Sequence, residues 1–323
     1  MKTILRNIAL CAFSLCSIAT YAQQDRNVVF HMSDKTTKTV SLAGVDSLTF
    51  EKAVRTPLNL DLEIHSTYIK ELFTCSDPNM RYYVSYLEKE LFDEYYPTDD
   101  KLIAEDKQWI EEMAKSYDSS VADMVKSWTY QGNNEEYQAN LLPGHEYVVW
   151  MHGMDENANS TTPVTKIAFR AKDVDRIANV VTLTAEIATE GIKVTAKPDD
   201  KTKNYTLGFF PTSKMRDEMT GMPQGTRDYM QTGISSALYD YLVNNEMSRF
   251  FENNAFKGDA NITYTNPSRN TEYYIVAAYL NDEAAICSDI SQITVNRDGS
   301  LSDVTMVKAP AKFLGKTVRR HAK

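Results

Sequence analysis

Hydrophobic residues cluster in short strand-like runs over Leu58–Ile64, Tyr68–Cys75 and Tyr82–Leu87, with strict polar alternation in the first. They do so again over Val180–Ile187, Ile192–Ala196 and Tyr205–Phe210. Each set of three is followed by helical spacing. Leu102, Ile103, Trp109, Ile110 and Met113 share one helical face, and Val121, Met124, Val125 and Trp128 share another. Asp99 and Asp100 are placed to cap the first helix, and Ser119 or Ser120 the second. After the second set, a loop with Gly221, Pro223 and Gly225 leads to helical patterns at Ile234, Leu238, Tyr241 and Leu242, and at Met247, Phe250 and Phe251. The pattern thus predicts strands, a helical pair and further strands, twice over.

The two copies share a corner. Leu142-Pro143-Gly144-His145-Glu146-Tyr147 leads into the apolar strand Val148-Val149-Trp150, and Pro267 through Thr271-Glu272-Tyr273 leads into Tyr274-Ile275-Val276-Ala277. Tyr147 to Tyr273 is a step of 126 residues, as is Phe169 to Val295. Leu60, Glu63 and Ile64 echo Leu183, Glu186 and Ile187 at a step of 123. That period is too long for a solenoid repeat and fits a whole domain, so the chain reads as a tandem duplication. Proline and glycine break the preceding element, and a tyrosine just beyond them can bury its ring and return its hydroxyl to the loop backbone.

Leu142, Pro143, Gly144, Glu146 and Tyr147 resemble the fibronectin type III pattern, with His145 in the threonine place. Thr271, Glu272 and Tyr273 match in the second copy, where proline stands two residues further from the tyrosine. The tryptophan found early in such domains is absent from both copies, and both carry helices that plain fibronectin domains lack. The resemblance implies a mainly β fold with α insertions: two tandem fibronectin/Ig-like β-sandwiches over residues 57–175 and 176–299, each with an inserted helical pair. Each domain is expected to fold by itself.

The ends differ from this plan. Lys2 and Arg6 precede an apolar stretch, Ile8 to Ala19, and Thr20-Tyr21-Ala22 offers a small-x-small cleavage site, so residues 1–22 read as an export signal. Cys11 and Cys16 each follow a leucine, where lipoprotein processing needs a small residue. Residues 23–56 read as an N-terminal β-hairpin, Val28–Met32 against Thr39–Leu42, followed by a linker. Its ending, Val45-Asp46-Ser47-Leu48-Thr49-Phe50, resembles the short leader hairpin of secreted surface proteins of Bacteroidetes-type bacteria. Residues 300–323, with six Lys or Arg and one Asp, read as a basic disordered tail. Export places the protein in the periplasm, on the outer surface or outside the cell.

Charge narrows the partners. Without the signal the chain holds 33 basic and 44 acidic residues, a formal charge of −11, which argues against nucleic acid or anionic lipid. Residues 88–136 alone hold 14 acidic and 5 basic residues. Glu105, Asp106, Glu111 and Glu112 are the candidates to steer a cationic partner from an exposed helix face. No later apolar run is long enough to cross a membrane as a helix.

Candidate chemistry is sparse. Cys75 and Cys287, one per domain, read as buried small apolar residues. The sequence contains no Gly-x-Ser-x-Gly, His-Glu-x-x-His, phosphate loop or dinucleotide glycine motif. Asp155, Asn157 and Asn159 have the spacing of a calcium loop's start, yet the sixth place is Ser160 and the twelfth is Lys166, and the same residues suit a hairpin turn. No cofactor is implied. Trp109, Trp128 and Trp150 could form a glycan platform or lie in the core. The expected function is a non-catalytic binding or scaffolding role outside the cytoplasm, with a protein or glycan partner. One alternative is a structural subunit that assembles by strand addition through the N-terminal hairpin. Another is a carbohydrate-active enzyme using carboxylates of the acidic insertion.

Overall fold

In the computed structural model, the described residues are 27–31, 37–41, 57–216, 223–265 and 267–308. The expected export signal and the tail beyond residue 308 lie outside them. Residues 1–55 form one unit and residues 56–323 another. In the first unit, β1 (Asn27–His31) pairs antiparallel with β2 (Thr37–Ser41), with Val29 opposite Thr39.

The second unit is mainly β, with four antiparallel sheets. In its first half, β3 (Leu58–Ile64), β4 (Ile69–Cys75) and β7 (Asn134–Gln138) form a three-stranded sheet. A four-stranded sheet faces it, in the order β6 (Tyr130–Gln131), β5 (Arg81–Glu88), β8 (Glu146–Gly153) and β9 (Thr165–Arg170). Leu58, Leu60, Ile69, Phe73, Tyr82, Val149 and Met151 fill the space between them. The second half repeats the plan. Its three-stranded sheet is β10 (Val181–Ala188), β11 (Gly191–Pro198) and β13 (Ala260–Thr265). Its four-stranded sheet is β12 (Tyr205–Pro211), β14 (Tyr273–Tyr279), β15 (Ile290–Val295) and β16 (Thr305–Val307).

Both corners form as the sequence indicates. The Tyr147 hydroxyl accepts the Leu142 N–H at 2.9 Å, and the Tyr273 hydroxyl accepts the Ser268 N–H at 2.9 Å. Three residues before each tyrosine the backbone is left-handed, at Gly144 (φ 75°) and Asn270 (φ 60°), two residue types that tolerate that region. A second pair of markers also repeats. Tyr82 donates to the Gly132 carbonyl at 2.9 Å, and Tyr205 donates to that of Gly258 at 3.0 Å.

The strands after the corners are largely apolar because both of their faces are covered. Tyr147, Val149 and Met151 of β8 face the sandwich interior, while Val148 and Trp150 meet Phe92 and Leu102 of the helices. Likewise Ile275 and Ala277 of β14 face inward, and Val276 and Ala278 meet Met230.

Among the described residues each half carries three α-helices where the sequence suggests a pair. In the first half these are α1 (Lys89–Tyr95), α2 (Asp99–Ser116) and α3 (Val121–Trp128). Thr98, not Asp99 or Asp100, caps α2 by accepting the Lys101 N–H, and Ser120 caps α3 by accepting that of Asp123. The second half has α4 (Thr226–Ser236), α5 (Tyr239–Val243) and α6 (Met247–Asn254). The supposed tail also differs. Leu301 bridges Val295, and β16 pairs with β15 from Gln292↔Thr305 to Ile290↔Val307, so residues 301–307 extend the sheet.

The halves meet through α4, α5 and α6. Leu238, Leu242 and Phe250 bury against Ala139, with Tyr68 and Tyr137 packed alongside. Glu283, in the turn after β14, reaches back to the first half. It accepts the Ser66 N–H at 2.8 Å and the Ser66 hydroxyl at 2.6 Å, and it lies 2.9 Å from His65 Nδ1. The Thr67 hydroxyl donates to the Glu283 carbonyl at 2.6 Å. Burial alone would push the Glu283 carboxyl up, but the Ser66 and His65 bonds hold it below the usual glutamate range.

Candidate functional site

The brevity of β6 creates the site. β6 pairs only with Arg81 and Tyr82 of β5, so from Tyr83 onward the outer edge of β5 has no strand beside it among the described residues. A cleft of about 970 Å³ runs along that edge. Five consecutive β5 residues, Tyr83 to Leu87, line it. Successive strand side chains point to opposite faces, so a wall made by all five is the edge of the strand and not one of its faces.

Two banks flank the edge. The helical bank presents Glu105, Trp109 and Glu112 from α2 and Trp128 from α3; the opposite bank presents Glu136 and Gln138 from β7 and Tyr239 from α5 of the second half. Eight aromatic residues and four carboxylates line the cleft, with no Lys, Arg or His among its lining residues. Trp109 and Trp128 meet edge to face, with centroids 4.9 Å apart. Glu136 accepts the Tyr130 hydroxyl at 3.0 Å and the Tyr239 hydroxyl at 3.0 Å, which ties the two halves together at the cleft. Burial, then the Glu136 bond, raises the Tyr239 phenol. Burial, with the charges of Asp106 and Glu105, pushes Tyr96 up to about 12, so both hydroxyls stay protonated donors near neutral pH.

The four steering candidates are separated by the structure. Glu105 and Glu112 line the cleft, Glu105 lying 3.4 Å from Lys101 Nζ and Glu112 accepting the Gln108 amide at 2.7 Å. Glu111 is turned to Lys107, 3.9 Å away, and is not part of the lining. Asp106 corrects the expectation of an exposed acid. It is 5 % exposed, and its Oδ2 accepts Trp150 Nε1–H at 3.0 Å and lies 3.1 Å from His152 Nε2. Leu102, Asp106, Ile110 and Ala114 are the buried residues of α2, each four after the last. Asp106 therefore sits on the face that packs on β8, where it anchors the helix to the sheet. The four-residue spacing is legible in the sequence, where Asp106 also stands between the charged residues Glu105 and Lys107.

The tryptophans differ in burial. Trp150 is core, with Phe92 and Tyr96 at centroid distances of 5.3 and 5.5 Å, whereas Trp128 is 46 % exposed at the rim. Glu71 was not singled out from the sequence. It is fully buried on β4, directly opposite Glu136 in the register, with Oε2 3.2 Å from the Gln138 amide and Oε1 without a partner.

The calcium candidates form a turn. Asp155 Oδ1 accepts the Asn157 and Asn159 N–H groups at 2.9 and 2.8 Å, and Lys107 donates to Asn159 Oδ1 at 2.7 Å. A carboxylate facing backbone donors, beside a lysine ammonium, is a poor seat for a cation. The second half repeats the turn at Asn281, whose Oδ1 accepts the Glu283 and Ala285 N–H groups, with Ala284 left-handed as Ala158 is. No group of three His, Cys, Asp or Glu residues among the described residues is arranged to hold a metal. Cys75 and Cys287 are both buried and unpaired by disulfide, and burial pushes the Cys287 thiol up to about 11. No helix among the described residues is long and apolar enough to cross a membrane.

No protein-family model matches this chain, and no curated protein matches it. Among solved structures it is similar to a two fibronectin type III domain segment from chicken tenascin. The identity is 11%, the match covers 79% of this chain and 99% of that one, and the TM-score is 0.20.

Proposed function

We propose that this chain is a non-catalytic binding protein that acts outside the cytoplasm, and that the β5 cleft seats its protein or glycan partner. The composition of the cleft wall carries the reading: aromatic residues and carboxylates with no basic side chain between them. Aromatic faces take up apolar C–H surfaces and cations, and carboxylates accept from hydroxyl, amide or ammonium donors. Glu112 and Glu136 are already held by neighbouring donors, which fixes their positions for recognition. The extracytoplasmic setting rests on the signal-like pattern of residues 1–22.

Trp128 and Tyr239 stand at the mouth, 46 % and 42 % exposed. Trp128→Ala or Tyr239→Ala should weaken binding of a surface oligosaccharide or peptide by about tenfold, equivalent to about 1.4 kcal/mol. Circular dichroism should be unchanged. Titration of the wild-type and variant proteins against a panel of both ligand types, read by calorimetry, checks this. A ligand that binds wild type and both variants equally would remove the cleft as the binding site.

A further inference from the structure

The geometry points to the open edge of β5 as an acceptor for an extended basic peptide, which adds to the sheet as a strand in the place that β6 leaves empty. This rests on the reading of the cleft as a binding site and names what enters it. The five edge residues Tyr83 to Leu87 span about 16 Å at the usual strand rise, room for a peptide segment of similar length. Outward backbone N–H and C=O groups along such an edge call for partners, and a peptide backbone supplies both. Banks on both sides of an edge keep a second sheet from docking, which is how an edge can stay open without causing aggregation.

Charge selects the peptide. Side chains of an added strand would alternate between the banks. One bank presents Glu105 and Glu112 and the other Glu136, so lysine or arginine finds a carboxylate on either side. The faces of Trp109, Trp128 and Tyr239 suit the aliphatic stems and the cationic heads. The same sheet of the second half also ends on an edge strand among the described residues, but the lining there differs. There the corresponding strand, β12, contributes only Thr206, Gly208 and Phe210 to a pocket of about 290 Å³, and Arg216 is part of its lining. Alternate residues mean that one face is presented, not the edge.

Three blocked seven-residue synthetic peptides test this against the full chain by calorimetry. The first has lysine at its third, fourth and fifth positions, so that lysines face both banks, with threonine or valine elsewhere. The second is the same peptide N-methylated at every amide, so that neither of its edges can donate, and the third carries glutamate for lysine. The lysine peptide should bind. The methylated form should bind at least about tenfold more weakly, because it has lost ladder donors, and the glutamate form about a hundredfold more weakly. Glu112→Gln together with Glu136→Gln should weaken the lysine peptide about tenfold and flatten its salt dependence. Equal binding of the methylated and unmodified peptides would overturn strand addition while leaving the cleft as a cation site. Binding of a neutral N-acetylglucosamine oligosaccharide with none of the lysine peptide would overturn the inference and keep the binding-cleft reading. Absence of binding by every probe would count against both.

Discussion

Glu71→Gln should stabilise the protein by on the order of 4 kcal/mol at pH 8 and change its stability little at pH 5. Burial, opposed in part by the Gln138 amide and reinforced by the charge of Glu136, raises the Glu71 carboxyl from 4.5 to about 8. The folded chain therefore keeps a proton there that the unfolded chain gives up above pH 4.5. Folding takes up that proton between pH 4.5 and 8, so stability falls as pH rises through the window, by about 1.4 kcal/mol per pH unit. Above pH 8 the folded carboxyl ionises too, and the loss levels off. Glutamine keeps the shape of the neutral acid and can still accept from Gln138, but it has no proton to lose. Urea midpoints of both proteins between pH 5 and 8.5 measure the effect: the curves should converge in acid and separate as pH rises. Curves that stay parallel would mean that Glu71 is not held neutral.

Leu238→Ala should destabilise the chain by about 2–5 kcal/mol, the cost of a cavity at a site that is 0 % exposed. More informative is where the loss appears. Leu238 lies in the second half, yet its cluster includes Ala139 of the first, with Glu283 pinned to Ser66 nearby. All three tryptophans, Trp109, Trp128 and Trp150, lie in the first half. We expect the two sandwiches to unfold as one cooperative unit, so the tryptophan transition should move together with the circular dichroism transition in Leu238→Ala. This replaces the expectation that each domain folds alone. A tryptophan midpoint unmoved by Leu238→Ala, while the dichroism shifts, would mean that the halves are independent.

Much of the fold could be read from the sequence because the signals were local. Tyr147 and Tyr273 follow their corners at a fixed step and make the same bond. The first two strands of each half stand out as short strand-like runs, and Ser120 caps α3 as placed. The misses also have physical causes. α1 continues directly from β5 at Lys89, with no proline or glycine to mark the change. β7 (Asn134–Gln138) is too polar and too shallowly buried to show a strong period, whereas β13 (Ala260–Thr265) alternates strictly, with Ala260, Ile262 and Tyr264 on one face. Glu71 carried a readable warning, an acid at the core-facing parity between Ile69 and Phe73, and so did Asp106 in the row from Leu102 to Ala114. The cleft itself was not legible. It depends on β6 stopping after two residues and on Tyr239 arriving from the other half, and both follow from tertiary packing.

The account turns on whether a ligand meets β5 along its edge. Amide hydrogen exchange of the full chain, with and without the lysine peptide at saturating concentration, reads that edge directly. The expected result is slowed exchange within Tyr83–Leu87, with smaller protection at the α2 and α3 residues of the helical bank. Unchanged exchange in Tyr83–Leu87 while the peptide is bound, with protection appearing elsewhere in the chain, would contradict it.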